Sequence, residues 1–195
     1  MSAPDGVSPT DTRVPNVNVA NALTVLRMLL VPVFLVTLFA AGGHDPMWRW
    51  IAFAVFAVAM FTDRADGQIA RRYGLITDFG KLMDPIADKA LTGAAFIGLS
   101  ALGDLPWWVT VVILGRELGI TALRFWVISD GVIPASRGGK LKTLLQTLAI
   151  GLYLMPLPEV MHWPKVAVMA AAVVVTVVTG FDYVRSVRRA SDTVA

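Results

Sequence analysis

The sequence predicts an all-α protein whose six helices cross a membrane. Three observations carry that expectation. The 195 residues are 56% hydrophobic and only 16% charged, with a mean hydropathy of +0.66, whereas soluble domains carry about 25% charge. The apolar residues come in runs near the roughly 20 residues of helix that a hydrocarbon core requires. Glycines and prolines punctuate the gaps between runs, where chain reversals belong. The length fits one domain.

Residues 1–19 are polar, hold Pro4, Pro9 and Pro15, and read as a flexible tail. They lack the basic and short apolar regions of a signal peptide, so the first apolar segment is expected to be retained. The first span covers 20–41 and stops at Gly42-Gly43. The second, 47–72, is longer than a bilayer requires, and its end with Asp66, Arg71 and Arg72 is expected to emerge into the interface. The third covers 80–101, between Gly74 and Gly103; the fourth covers 106–130. The fifth, 140–157, lies between Gly138-Gly139 and the Pro156, Pro158 pair, and the sixth covers 163–187. Residues 188–195 are a polar C-terminal tail. Internal repeats are absent. With no cysteine, disulfides and thiolate metal sites are excluded. The expected surroundings are a lipid bilayer, with no nucleic-acid partner.

Lysine and arginine placement gives the orientation. With both termini cytoplasmic, the outer loops hold only Arg49 and Lys165, while Arg13, Arg71, Arg72, Lys81, Arg137, Lys140, Lys142, Arg185, Arg188 and Arg189 lie inside. The second span then reaches Asp63 after roughly 24 Å of helix, and the third begins on the inside. Both place their acidic residues near the cytoplasmic leaflet of a plasma membrane. Trp48, Trp50, Trp107, Trp108 and Trp163 fall near the outer ends, as interface anchors do. His44 and His162 are expected to be solvated in outer loops.

Residues 63–88, DRADGQIARRYGLITDFGKLMDPIAD, carry the chemistry. A carboxylate at bilayer depth costs about 2.5–3.5 kcal/mol on insertion scales, so Asp63, Asp66, Asp84 and Asp88 require positive partners. Asp63 and Asp66 are three apart, Asp84 and Asp88 four apart; on helices each pair shares a face. Two such helices facing one another would gather four hard oxygen donors, the set that holds Mg²⁺ or Mn²⁺ against phosphate oxygens. Gly67 and Gly80 leave room for close backbone approach, and Arg71 offers a planar fork for a phosphate. A carboxylate beside an acceptor hydroxyl can take its proton, although spacing alone does not separate a base from a metal ligand.

The pattern D-x2-D-G-x2-A-R-x8-G-x3-D-x3-D, filled here by Asp63, Asp66, Gly67, Ala70, Arg71, Gly80, Asp84 and Asp88, resembles the signature of the CDP-alcohol phosphotransferases at all eight positions. The stretches 18–32, 115–126 and 139–147 are similar to bacterial phosphatidylglycerophosphate synthases. The resemblance touches most of residues 18–150 and makes 20–187 a six-helix catalytic domain, commonly of a homodimer. It implies transfer of the phosphatidyl group from CDP-diacylglycerol to sn-glycerol 3-phosphate, with release of CMP. It also implies a pair of Mg²⁺ or Mn²⁺ ions on Asp63, Asp66, Asp84 and Asp88, with Asp88 the general base. Asn21, Thr24, Gly67, Ala70, Arg71 and Gly80 would hold the CDP moiety. Arg116, Arg124, Lys140 and Lys142 would hold the acceptor's phosphate.

Other readings attach to the same residues. The aspartates can pair with Arg64, Arg71 and Lys89 as helix-joining salt bridges. Arg116–Glu117 can be a structural pair, Lys140 and Lys142 positive-inside anchors, and Arg27 a snorkelling arginine. Asn21 and Thr24 can serve as N-terminal caps. DRADG lacks the alternating acids of a calcium loop, and Gly138-Gly139-Lys140 is no P-loop. A sister enzyme using phosphatidylglycerol, inositol phosphate or another alcohol keeps the signature; the basic set around Arg116 and Lys140 is the discriminating feature, since an uncharged alcohol would not need it. A cation-coupled transporter also carries intramembrane acids, but without phosphate-suited glycine and arginine beside them.

Overall fold

The computed structural model describes residues 19–73, 77–127 and 137–194, with side chains described for 21–62, 77, 80, 83–123 and 139–186. All described elements are helical. They are α1 (Val19–Phe39), α2 (Pro46–Tyr73), α3 (Asp78–Ala101), α4 (Trp107–Val127), α5 (Arg137–Leu154) and α6 (His162–Val194), with short 3₁₀ turns at Ala40–Gly43 and Glu159–Met161. The boundaries follow the hydropathy closely. The main difference is α6, which runs on through the polar residues expected to form a tail.

Local chemistry accounts for the ends. After α1 the chain turns through left-handed backbone at Ala41, Gly42 and Gly43 (φ 48°, 77° and 80°). A side chain at Gly43 would collide with Leu102, its Cβ falling 2.3 Å from Cδ2. Asp45 then caps α2, its Oδ1 accepting from the backbone of Met47 and Trp48 at 3.0 and 3.1 Å, and Pro46 takes the first helical position, where no N–H is needed. Thr77 caps α3 by accepting from Gly80 N at 3.0 Å.

Helix α1 packs mainly on α2 and α3, and α6 on α5 and α4. Phe34, Leu38, Phe56, Leu91, Phe96, Leu99, Ile113, Ile150 and Leu154 form one core, with the Phe34 and Phe56 rings 5.9 Å apart. Ala52, Ala59, Ala95, Ala149 and Ala172 are fully buried, and small residues of this kind let helix backbones approach. Val36, Phe61, Val111, Val174 and Phe181 are exposed on the outside of the bundle. Among the described residues, Asn21–Gly43 and Glu159–Ser186 are long and apolar enough to cross a membrane, and Pro46–Thr62 is a shorter apolar helix. Six such spans are expected from sequence. Charged residues on the middle helices, such as Asp84, Asp88 and Lys89 on α3 or Arg116 and Glu117 on α4, lower hydropathy there.

At one end of the bundle, Arg49 gathers three segments. It is 5% exposed in the first turn of α2, rather than in a loop as expected from sequence. Its guanidinium donates to Gly43 O at 2.5 Å, to Tyr153 O at 3.3 Å, and to the Asp104 carboxylate. His44, largely exposed, reaches the other Asp104 oxygen at 3.4 Å. Trp48, Trp50, Trp107, Trp108 and Trp163 are exposed on the helices that start at this end. The starts of α1, α3 and α5 lie at the opposite end.

Candidate active site

The start of α3 meets the start of α1 through a short polar chain. Thr77 Oγ1, which accepts from Gly80 N, donates to Asn21 Oδ1 at 2.9 Å. Gly80 is buried, and a Cβ there would lie 3.0 Å from Asn21 Oδ1 and 3.8 Å from Asp84 Oδ2. One turn along each helix, Thr24 Oγ1 donates to Asp84 Oδ1 at 2.6 Å. That bond joins residues 60 apart in sequence; a hydroxyl on a carboxylate of this kind is worth about 1.5–3 kcal/mol. Asn21, Thr24 and Arg27 are all buried and recur every third residue, forming a polar stripe on a helix that is otherwise apolar except at Thr37. Arg27 is fully buried, so it does not snorkel along the surface.

Asp88 follows Asp84 by one turn of α3, with Pro85 between them. It lines a cavity of about 290 Å³ walled by α3, α4 and α5, together with Lys89, Glu117, Lys142 and Gln146. Opposite charges thus face one another from three helices. Lys142, a residue only 7% exposed, donates through Nζ to Glu117 Oε1 at 2.5 Å. The same oxygen accepts from Arg116 Nη1 at 3.2 Å. Lys89 Nζ donates to Thr121 Oγ1, one turn beyond Glu117 on α4. Gln146 reaches from α5 to Thr176 of α6 at 2.9 Å.

The residues singled out from sequence divide as follows. Asn21, Thr24, Gly80 and Asp84 come together, and Asp88 and Lys142 share the cavity. Arg116 turns toward α6: its Nη2 donates to Thr179 at 3.1 Å, and a Cβ on Gly180 would lie 3.1 Å from its Cγ. Lys140 is exposed near the start of α5. Asp63, Asp66, Gly67, Ala70 and Arg71 fall on the last part of α2, and Arg124 on α4; their side chains lie outside the described residues. Among the described residues, no three acidic or imidazole side chains converge. Of the expected acid set, Asp84 and Asp88 are described, one helical turn apart on α3, with Gly80 adding no side-chain bulk beside Asp84; carboxylates are the donors that could hold a hard divalent cation. Thr77, Glu117, Lys89 and Thr121 join the site without having been singled out for it. A threonine directly ahead of a new helix is a capping signal, and an acid beside Arg116 in an apolar span marks Glu117.

Comparison with known proteins gives a family and close relatives. A family model described as CDP-alcohol phosphatidyltransferase matches residues 17–178. A probable phosphatidylglycerophosphate synthase of Mycobacterium tuberculosis (strain ATCC 25618 / H37Rv) is 61% identical over 167 residues, spanning 86% of this chain and 80% of that protein. A CDP-diacylglycerol–glycerol-3-phosphate 3-phosphatidyltransferase of Bacillus subtilis is 36% identical over 179 residues, 85% of this chain and 93% of its own. One of the same name from Rickettsia bellii is 33% identical over 184 residues, 88% and 96% respectively.

Proposed function

The chain belongs to the CDP-alcohol phosphatidyltransferase family, and from that premise we propose that it transfers the phosphatidyl group of CDP-diacylglycerol to sn-glycerol 3-phosphate. The products are phosphatidylglycerophosphate and CMP. The names of its relatives support this reading. The observation that carries it is the cavity where Asp88 and a buried lysine, Lys142, line common walls. An acceptor with both a reactive hydroxyl and a phosphate needs a base and a cation within one small volume.

The roles follow from the chemistry of each side chain. Asp63, Asp66, Asp84 and Asp88 would hold two Mg²⁺ or Mn²⁺ ions, which when bound neutralise pyrophosphate charge. Thr24 orients the Asp84 carboxylate by its hydrogen bond. Gly67, Ala70, Arg71 and Gly80, with Asn21 and Thr24, would hold the CDP moiety. Asp88 would take the proton of the acceptor hydroxyl as its oxygen bonds to the phosphatidyl phosphorus and the bond to CMP breaks. Lys142, Lys140 and Arg124 would meet the acceptor phosphate, with Arg116 behind them.

Gly80→Ala separates site geometry from stability. Alanine gains about 1 kcal/mol of helix propensity over glycine, yet its Cβ would press on Asn21 Oδ1 at 3.0 Å. The expected outcome is a melting temperature near wild type and an apparent KM for CDP-diacylglycerol raised about tenfold, read by donor titration at saturating acceptor.

The proposed setting is a plasma membrane crossed six times by a homodimer, with both termini and the site at the cytoplasmic face. The Lys and Arg bias and the exposed apolar exterior support it. A topology reporter fused after Ala195 is expected to read cytoplasmic in an active protein; an extracytoplasmic signal would overturn the orientation.

CMP release by purified protein, measured over a panel of acceptors, tests the function. Release that depends on glycerol 3-phosphate is expected. Turnover with inositol phosphate or phosphatidylglycerol instead would move the chain to a sister reaction. No CMP release with any acceptor, alongside metal-dependent transport, would favour a carrier.

A further inference from the structure

Glu117 is an acid in the place least suited to one, on the wall of a cavity that would receive a phosphate dianion. Repulsion alone would weaken acceptor binding, so its presence requires a compensating role. The geometry points to one: we infer that Glu117 is the positioning residue of the acceptor site, holding the Lys142 ammonium in place for the phosphate. The inference rests on the acceptor reading above.

A chain of contacts leads to that ammonium from α6. Thr179 accepts from Arg116 Nη2 at 3.1 Å, and Gly180 leaves the space in which the arginine stem lies. Arg116 Nη1 then donates to Glu117 Oε1 at 3.2 Å, and that oxygen receives Lys142 Nζ at 2.5 Å. Arg116 is thus directed at Glu117 and α6, and its neighbour Glu117 lines the cavity with Lys142. The arginine charge holds the carboxylate, and the carboxylate holds the lysine.

Lysine is a flexible four-carbon stem ending in three rotatable donors. Glu117 takes one donor, leaving two for acceptor oxygens. Fixing the ammonium beforehand removes its ordering cost from acceptor binding, as preorganised sites do. The arginine offsets the acid's repulsion by sharing the same oxygen. Lys89 Nζ likewise donates to a residue of α4, the Thr121 hydroxyl, so α4 receives lysine heads from both α3 and α5.

The test uses the purified full-length protein and the variants E117Q and E117D, with two readouts. Steady-state kinetics in E117Q should show the apparent KM for glycerol 3-phosphate raised on the order of tenfold, with the KM for CDP-diacylglycerol within about twofold of wild type. E117D, which keeps the charge, should recover most of the difference. Amine-directed acylation of Lys142, followed by mass spectrometry, should be several-fold faster in E117Q because the ammonium is released; this readout needs no turnover. Donor and acceptor constants rising together, or unchanged Lys142 labelling, would overturn the inference. If E117Q does not accumulate as folded protein, E117D decides: its carboxylate is set back by one methylene, so an acceptor KM raised about two- to threefold with the donor KM unchanged supports the role, and a wild-type acceptor KM or a parallel rise in both constants defeats it. Wild-type protein that fails to use glycerol 3-phosphate defeats the acceptor reading itself, and the inference with it. A wild-type acceptor constant in active E117Q defeats the inference alone.

Discussion

Asp84→Asn is expected to lose at least about a thousandfold in turnover while the protein still folds. Thr24 Oγ1 donates to Asp84 Oδ1 at 2.6 Å, and an asparagine oxygen can accept the same bond. The α1–α3 junction therefore survives the substitution. What disappears is one unit of negative charge from a set whose proposed task is to hold divalent cations against a pyrophosphate. Metal clamping supplies several kcal/mol of transition-state stabilisation, and each 1.36 kcal/mol is about tenfold in rate. Asp63→Asn and Asp66→Asn should behave alike. Chelation of divalent ions in the wild-type enzyme should match the variants and be reversed by Mg²⁺ or Mn²⁺. Near-normal turnover of Asp84→Asn at saturating metal would remove Asp84 from the ligand set.

Asp88→Asn is expected to separate chemistry from binding. Asp88 stands one turn farther along α3 and lines the cavity shared with Lys142. A general base contributes about 10²–10⁴ in rate. Turnover should fall by that factor or more while CDP-diacylglycerol binding persists, since the other three aspartates of the proposed ligand set remain. Donor binding and single-turnover CMP release, measured on the same preparation, distinguish the cases. If donor affinity falls as far as in Asp66→Asn, Asp88 is a ligand first and the proton leaves by another route.

The six helices are legible from sequence because hydropathy and turn residues act locally. Apolar runs set the lengths, and Gly42-Gly43, Gly103 and Pro156 mark the reversals. Half of the acid pattern is equally direct: Asp84 and Asp88 share a turn spacing, and α3 keeps it. The direction of Arg116 is not legible. Helical spacing allows it a broad face in common with Arg124, but the missing side chain at Gly180, 64 residues away, draws it to α6. The pairings of Glu117 with Lys142 and of Lys89 with Thr121 likewise join separate helices, and no local period encodes them. Arg49 looks like an ordinary loop charge until the turn at Gly43, Asp104 and the end of α5 close around it.

That last cluster bears on where the chain tolerates added sequence. Insertion tolerance follows the burial and hydrogen bonding of the affected backbone. The Ala40–Gly43 turn and the stretch at Asp104 are short surface connections that would attract a tag or an epitope. Both are bound to one buried guanidinium, so lengthening either pulls a donor network apart and strands a charge in the bundle, a loss of about 3–5 kcal/mol. The 158–160 segment on the same side is exposed, and Arg49 does not hold it. An engineer wishing to display a peptide on this protein should open the chain there.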